Sequence, residues 1–185
     1  MKLSKRILAV LLAGTMALAL LAGCGSSVGS KDVDVINVML QLNGSDVKVT
    51  EDASLKADAD RFVSLLQKLV PFEADPDEES TVREENYKVI DQQDEEFPWS
   101  DELNSTLVAG KSKRLVLVSG GPQANNDARR ANDIAWQIED LNQRGLKVKG
   151  IAVVKTDDGR CTEWKSGELV KVEKTSVWVA VVTYE

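Results

Sequence analysis

The 185-residue chain contains no histidine. Imidazole is the usual proton shuttle near neutral pH and the commonest metal ligand, so its absence excludes Ser-His-Asp and Cys-His catalysis and histidine-containing metal centres. Carboxylate pairs, lysine and tyrosine remain as chemical groups, but no catalytic motif marks any of them, and the chain is expected to be non-catalytic. Cysteine is almost as scarce, with only Cys24 and Cys161 present. The longest apolar run, residues 7–20, has about 14 residues, short of the roughly 20 that a permanent membrane-crossing helix needs. Positive charge is also short. Three of the 23 basic side chains precede Cys24 and none of the 30 acidic ones does, so residues 24–185 carry a formal charge of −10. Such a surface repels nucleic acid and anionic headgroups, and no nucleic-acid partner is expected.

The first 23 residues have a basic start at Lys2, Lys5 and Arg6, then the apolar run, then a small-residue exit at Ala22 and Gly23. That layout is an export signal. Its exit, Leu21-Ala22-Gly23-Cys24, resembles the lipobox of bacterial lipoproteins. The resemblance implies cleavage before Cys24, lipidation (diacylglyceryl or palmitate-type) of its thiol, and display outside the cytoplasm on the membrane. One acyl chain holds only marginally, at about 0.8 kcal/mol per buried methylene, so two chains are what make such an anchor durable. The expected organisation is a removed signal over 1–23, lipidated Cys24 with a Gly/Ser tether over 24–32, and one globular domain over 33–185. With Cys24 acylated, Cys161 has no partner for an internal disulfide and reads as a small half-buried residue.

Along the domain, residues 33–42 are rich in β-branched side chains, and Ile36, Val38, Leu40 and Leu42 alternate, which predicts a strand. Asn43-Gly44-Ser45-Asp46 reads as a turn and Val47-Lys48-Val49 as a short returning strand. Thr50 or Asp52 can cap a helix reaching about Val70, with Leu55, Ala59, Phe62, Val63, Leu66 and Leu69 as its buried stripe and Pro71 beyond its end. Residues 73–96 hold 11 acidic side chains. They read as a solvated loop around one strand, Tyr87-Lys88-Val89-Ile90, with Ca²⁺ binding as the alternative use. Pro98-Trp99-Ser100-Asp101-Glu102-Leu103 opens like a short helix.

Leu115-Val116-Leu117-Val118 is an unbroken apolar strand, followed by Ser119-Gly120-Gly121-Pro122 and a helix over about 124–144. Its stripe is Ala124, Ala128, Ala131, Ala135, Ile138 and Leu141, with Ile134 beside it, and Gly145 ends it. A strand over 148–154 completes a βαβ unit. Asp157-Asp158-Gly159 reads as a turn, residues 161–164 and 169–172 as a hairpin about Ser166-Gly167, and residues 177–184 as a mid-sheet strand apolar on both faces.

Ser119, Gly120 and Gly121 are the candidate ligand site, since free amides at a strand-to-helix turn attract anions. The opening Gln123-Ala124-Asn125-Asn126-Asp127 departs from a phosphate loop, and Asp127 would oppose a phosphate. The stretch 115–154 is similar to the late strand-helix-strand part of a von Willebrand factor A domain. It has no Asp-x-Ser-x-Ser motif, so no residue role is carried over. Of the four tryptophans, Trp164 beside the hairpin is the one expected to be exposed.

These observations predict an α/β or α+β domain with a single mixed sheet of five to seven strands, two long helices and one βαβ unit over 115–154. With two helices for two apolar sheet faces, one face is expected to be incompletely covered and to receive a protein partner. Surface interaction or assembly is therefore the first functional expectation. Binding of a small ligand, anion or Ca²⁺ at the Ser119–Gly121 loop or the acidic stretch is the second. No cofactor or structural metal is expected.

Overall fold

The most apolar segment of the domain, residues 177–184, lies in the middle of a mixed sheet, as its two-sided pattern predicts. The computed structural model describes residues 30–73, 81–97, 113–121 and 126–185. In chain order the elements are α1 (Lys31–Leu42), β1 (Thr50–Glu51), a 3-10 turn (Ala53–Leu55) and α2 (Lys56–Leu66). Then come β2 (Phe72–Glu73), α3 (Thr81–Glu96), β3 (Lys113–Ser119), α4 (Asp127–Gln143), β4 (Val148–Lys165) and β5 (Glu168–Tyr184). The predicted helix at Pro98 and the Pro122 and Ala124 positions lie outside the described residues.

The fold is α+β, with one five-stranded sheet. β5 pairs antiparallel with β4 along one edge, and with β3 and the short β2 along the other. β1 pairs parallel with β4 at Thr50 and Glu51. Because β3 and β4 are each antiparallel to β5, the β3–α4–β4 unit has parallel strands with β5 inserted between them. The two strands of the predicted βαβ unit are thus parallel to each other without being paired. The more apolar β5 takes the central place because a strand apolar on both sides is best buried between two others.

Side chains alternate along β5 into two cores. Trp178, Ala180, Val182 and Tyr184 join α1 and α4 residues on one face, while Val177, Val179 and Val181 join α2 on the other. Helices therefore pack on both faces of the sheet, and among the described residues there are four of them where two long ones are expected.

The first predicted strand is instead α1. Val33, Ile36 and Leu40 are buried at helical spacing, whereas Val38 and Leu42, which a period of two would bury with them, are 36% and 47% exposed. Asp32 and Asp34 in its first turn suit the positive end of the helix dipole. Residues 47–49 are not a strand either. Asn37 fixes them by accepting from the Val49 amide and donating to its carbonyl, both at 2.9 Å.

Asp52 caps the turn that opens α2, accepting from Ser54 N at 3.0 Å. The predicted stripe of α2 is buried throughout, although the α-helix ends at Leu66 and turns carry the chain to Leu69. Tyr87–Ile90 belong to α3, not to a strand. From residue 84 on, the acidic stretch is helix with Glu84, Glu85, Asp91, Asp94 and Glu95 exposed and Asn86 and Gln93 buried. Among the described residues no group of three or more His, Cys, Asp or Glu is placed to hold a metal ion.

Helix α4 is capped by Asn126, whose side chain accepts from Arg129 N at 2.8 Å. Its stripe is buried from Ala131 to Leu141, but Ala128 is exposed. Gly145, at φ 88°, reverses the chain, and Leu146 N donates to Leu141 O at 3.0 Å. The predicted hairpin strands are the far ends of β4 and β5, joined at Ser166 (φ 55°) and Gly167 (φ 82°). Two positive φ values make this a type I′ turn. Asp157-Asp158-Gly159 is a bulge within β4, not a turn, because the register gains a residue between Thr156 and Gly159.

Candidate functional site

The β4–β5 hairpin extends beyond the part of the sheet that β3 pairs with, and α2 and α3 pack beneath it. A cleft of about 820 Å³ lies between them. That is within the range typical of small-molecule sites. Phe62 and Leu66 of α2, Ile90 of α3 and Val118 of β3 form its apolar wall, and Trp164, 45% exposed, stands on the hairpin. Two contacts fix the hairpin over α3. The Tyr87 ring meets Trp164 edge-on at 5.8 Å, and the Tyr87 hydroxyl accepts from Leu169 N at 3.1 Å. Asn86, fully buried, ties α3 to the end of the α2 segment by pairing with both the amide (2.7 Å) and carbonyl (3.0 Å) of Val70.

At the other end of the cleft, strand alternation separates the three predicted site residues. Ser119 faces α4, where its hydroxyl donates to Asp133 Oδ2 at 2.9 Å, and it does not line the cleft. Gly120 and Gly121 do line it, beside Cys161. Gly120 is required by crowding: a Cβ built there would lie 2.1 Å from Cys161 Sγ and 3.3 Å from Val177 Cγ2. Gly121 adopts φ 107°, a region that favours glycine. Asp127 lies elsewhere, paired with Lys155 at 3.0 Å.

Arg130, which sequence reasoning passes over, sits beneath this loop. The residue is 1% exposed, and its Nη2 donates to Gly121 O at 2.8 Å and Ser176 O at 2.7 Å. Its Nε and Nη1 have no hydrogen-bond partner among the described residues. Burial pulls its pKa down, and the nearby Cys161 and Asp133 oppose that pull. Burial likewise pushes the Cys161 thiol up, while the Arg130 guanidinium and the Gly121 amide favour its thiolate and Glu173 disfavours it. The thiol is therefore protonated at neutral pH. A signal for Arg130 exists in the sequence, because it stands four and eight residues before Ile134 and Ile138, on the apolar stripe of α4.

The cleft also carries charge of both signs, mostly neutralised. Lys171 pairs with Glu173 at 2.9 Å and Glu73 at 3.5 Å, and Arg160 with Asp158 at 3.0 Å. Asp94 and Glu163 add negative charge to the rim. Comparison with protein-family models, curated proteins and solved structures finds no match.

Proposed function

We propose that this protein is a bacterial lipoprotein, held outside the cytoplasm by acylation of Cys24, whose domain binds a small organic ligand. The cleft carries this reading. It joins an apolar wall, an accessible tryptophan and a few converging polar groups, the composition expected of a small-molecule site. A thermal-shift panel of organic acids, sugars, nucleotides, phosphate and Ca²⁺ tests it. At 100 times Kd a ligand stabilises by about 2.7 kcal/mol, and Trp164→Ala should weaken the shift. No shift across the panel would remove the reading. For the anchor, Cys24→Ser should release the protein from the membrane fraction, and undiminished retention would count against acylation.

The second reading, interaction with a protein partner, has support in Trp136. It is 54% exposed and lies between Asn132 and Glu139, which bond Asn43 and Ser45 just after the exposed Leu42. Trp136→Ser should abolish crosslinks to neighbouring envelope proteins if that patch is the contact. Unchanged crosslinking would eliminate it.

A further inference from the structure

Arg130 places a positive charge under the cleft without an ion pair among the described residues to match it. Its two hydrogen-bonded partners, Gly121 O and Ser176 O, are neutral carbonyls, and Nε and Nη1 have no partner among the described residues. Buried charges are ordinarily paired, because desolvation of a lone ion is costly. Asp133, which accepts from the Ser119 hydroxyl, favours this charge from nearby without forming an ion pair with it, and the Cys161 thiol is protonated, so the charge is offset only in part. The field of this guanidinium emerges where the loop is thinnest, at Gly120, which has no side chain, and at Gly121, whose carbonyl Arg130 holds. Gly121 and Cys161 both line the cleft, so the Arg130 charge backs this end, with Glu173 also near Cys161, while Phe62, Leu66, Ile90, Val118 and Trp164 supply an apolar wall among the paired charges of the rim.

We propose that the Gly121–Cys161 end of the cleft, backed by Arg130, receives the carboxylate of an amphipathic monocarboxylic acid whose apolar body lies along Phe62, Leu66, Ile90 and Trp164. The inference rests on the cleft being a ligand site and adds the chemical class. A singly charged head is favoured over a phosphate dianion, because Arg160 and Lys171 on the same cleft are already paired with Asp158, Glu73 and Glu173, while Glu163 and Asp94 penalise each further negative charge. The apolar wall supplies binding area, and the buried cation supplies the preference for an acid over its neutral analogue.

The test uses the chain from residue 24 onward, its expected processed form, carrying Cys24→Ser so that no lipid is attached, with 4-phenylbutyrate and its neutral amide as probes in calorimetry and tryptophan fluorescence at pH 7. The acid should bind about tenfold more tightly than the amide. Cys161→Asp places a carboxylate beside Arg130 and should erase that difference by weakening acid binding alone, while Cys161→Ser, which adds no charge, should keep it. Equal affinity of acid and amide would overturn the proposal and leave the cleft reading standing. A preserved acid preference in Cys161→Asp would overturn the role of Arg130. Absence of binding by both probes at millimolar concentration would overturn the cleft reading together with the proposal. Should Cys161→Asp fail to fold, the acid–amide comparison on the unaltered cleft decides alone.

Discussion

The Cys161 sulfur occupies the space in which a side chain at residue 120 would begin, 2.1 Å from the position of its Cβ. Loop and hairpin are thus fitted to each other through one missing methyl group. Gly120→Ala should destabilise by about 1–3 kcal/mol, the usual cost of overpacking. Cys161→Ala should relieve part of that cost, so that in urea denaturation the double variant is more stable than the sum of the two single losses allows, with a coupling of at least about 0.5 kcal/mol. Strict additivity would mean that the loop moves away freely.

Asn86 is fully buried and serves both hydrogen-bonding groups of Val70. Asn86→Ala leaves a buried amide and carbonyl unpaired and should cost about 2–3 kcal/mol. Asn86→Asp should be at least as damaging at pH 7, since a carboxylate cannot donate to Val70 O. It should recover in part toward pH 4, where the protonated carboxyl can. Denaturation midpoints at the two pH values check this, and a loss independent of pH would refute the pairing.

Lys155 joins three elements. Its ammonium pairs with Asp32 of α1 and Asp127 of α4 and stands 4.2 Å above the Trp178 ring. Burial pulls its pKa down, but the hydrogen bonds and charges of the two aspartates outweigh this and leave it raised above the ordinary value. A raised lysine pKa gives stability that is complete below the unfolded value, about 10.4, and is lost as pH rises through the folded one. Lys155→Met should therefore cost about 1 kcal/mol at pH 7, a screened and partly exposed contribution. Its deficit relative to wild type should shrink above pH 10. A deficit that persists at pH 11 would show that packing, not charge, is what the substitution removes.

The parts of the fold legible in the sequence are those where one periodicity has one reading. The two-sided pattern of residues 177–184 marks the central strand, and the stripe from Leu55 to Leu69 marks α2 and its turns. Residues 33–42 mislead because Val33, Ile36 and Leu40 fit a helix while Ile36, Val38, Leu40 and Leu42 fit a strand, and only packing against α4 decides between them. Tyr87–Ile90 reads as a strand because β-branched residues sit in a window too short to reveal the i, i+4, i+7 pattern of Asn86, Ile90 and Gln93. At the site, Gly120 and Gly121 are legible as a special turn. The burial of Arg130 is legible too, from its place on the stripe of α4, but its meeting with Cys161 at this loop is not, since the hairpin and α4 bring the two there from distant positions in the chain.

The place of β5 in the sheet has a consequence for the order of events in biosynthesis. β2, β3 and β4 all take their main-chain partners from it, and β3 pairs across a separation that runs from Ser119–Trp178 to Lys113–Tyr184. A nascent chain lacking residues 168–184 has almost no sheet to assemble, and such long-range closures are slow to form. The polypeptide thus acquires its sheet only after residues 168–184 have been synthesised, so main-chain protection of β2, β3 and β4 arises late and together.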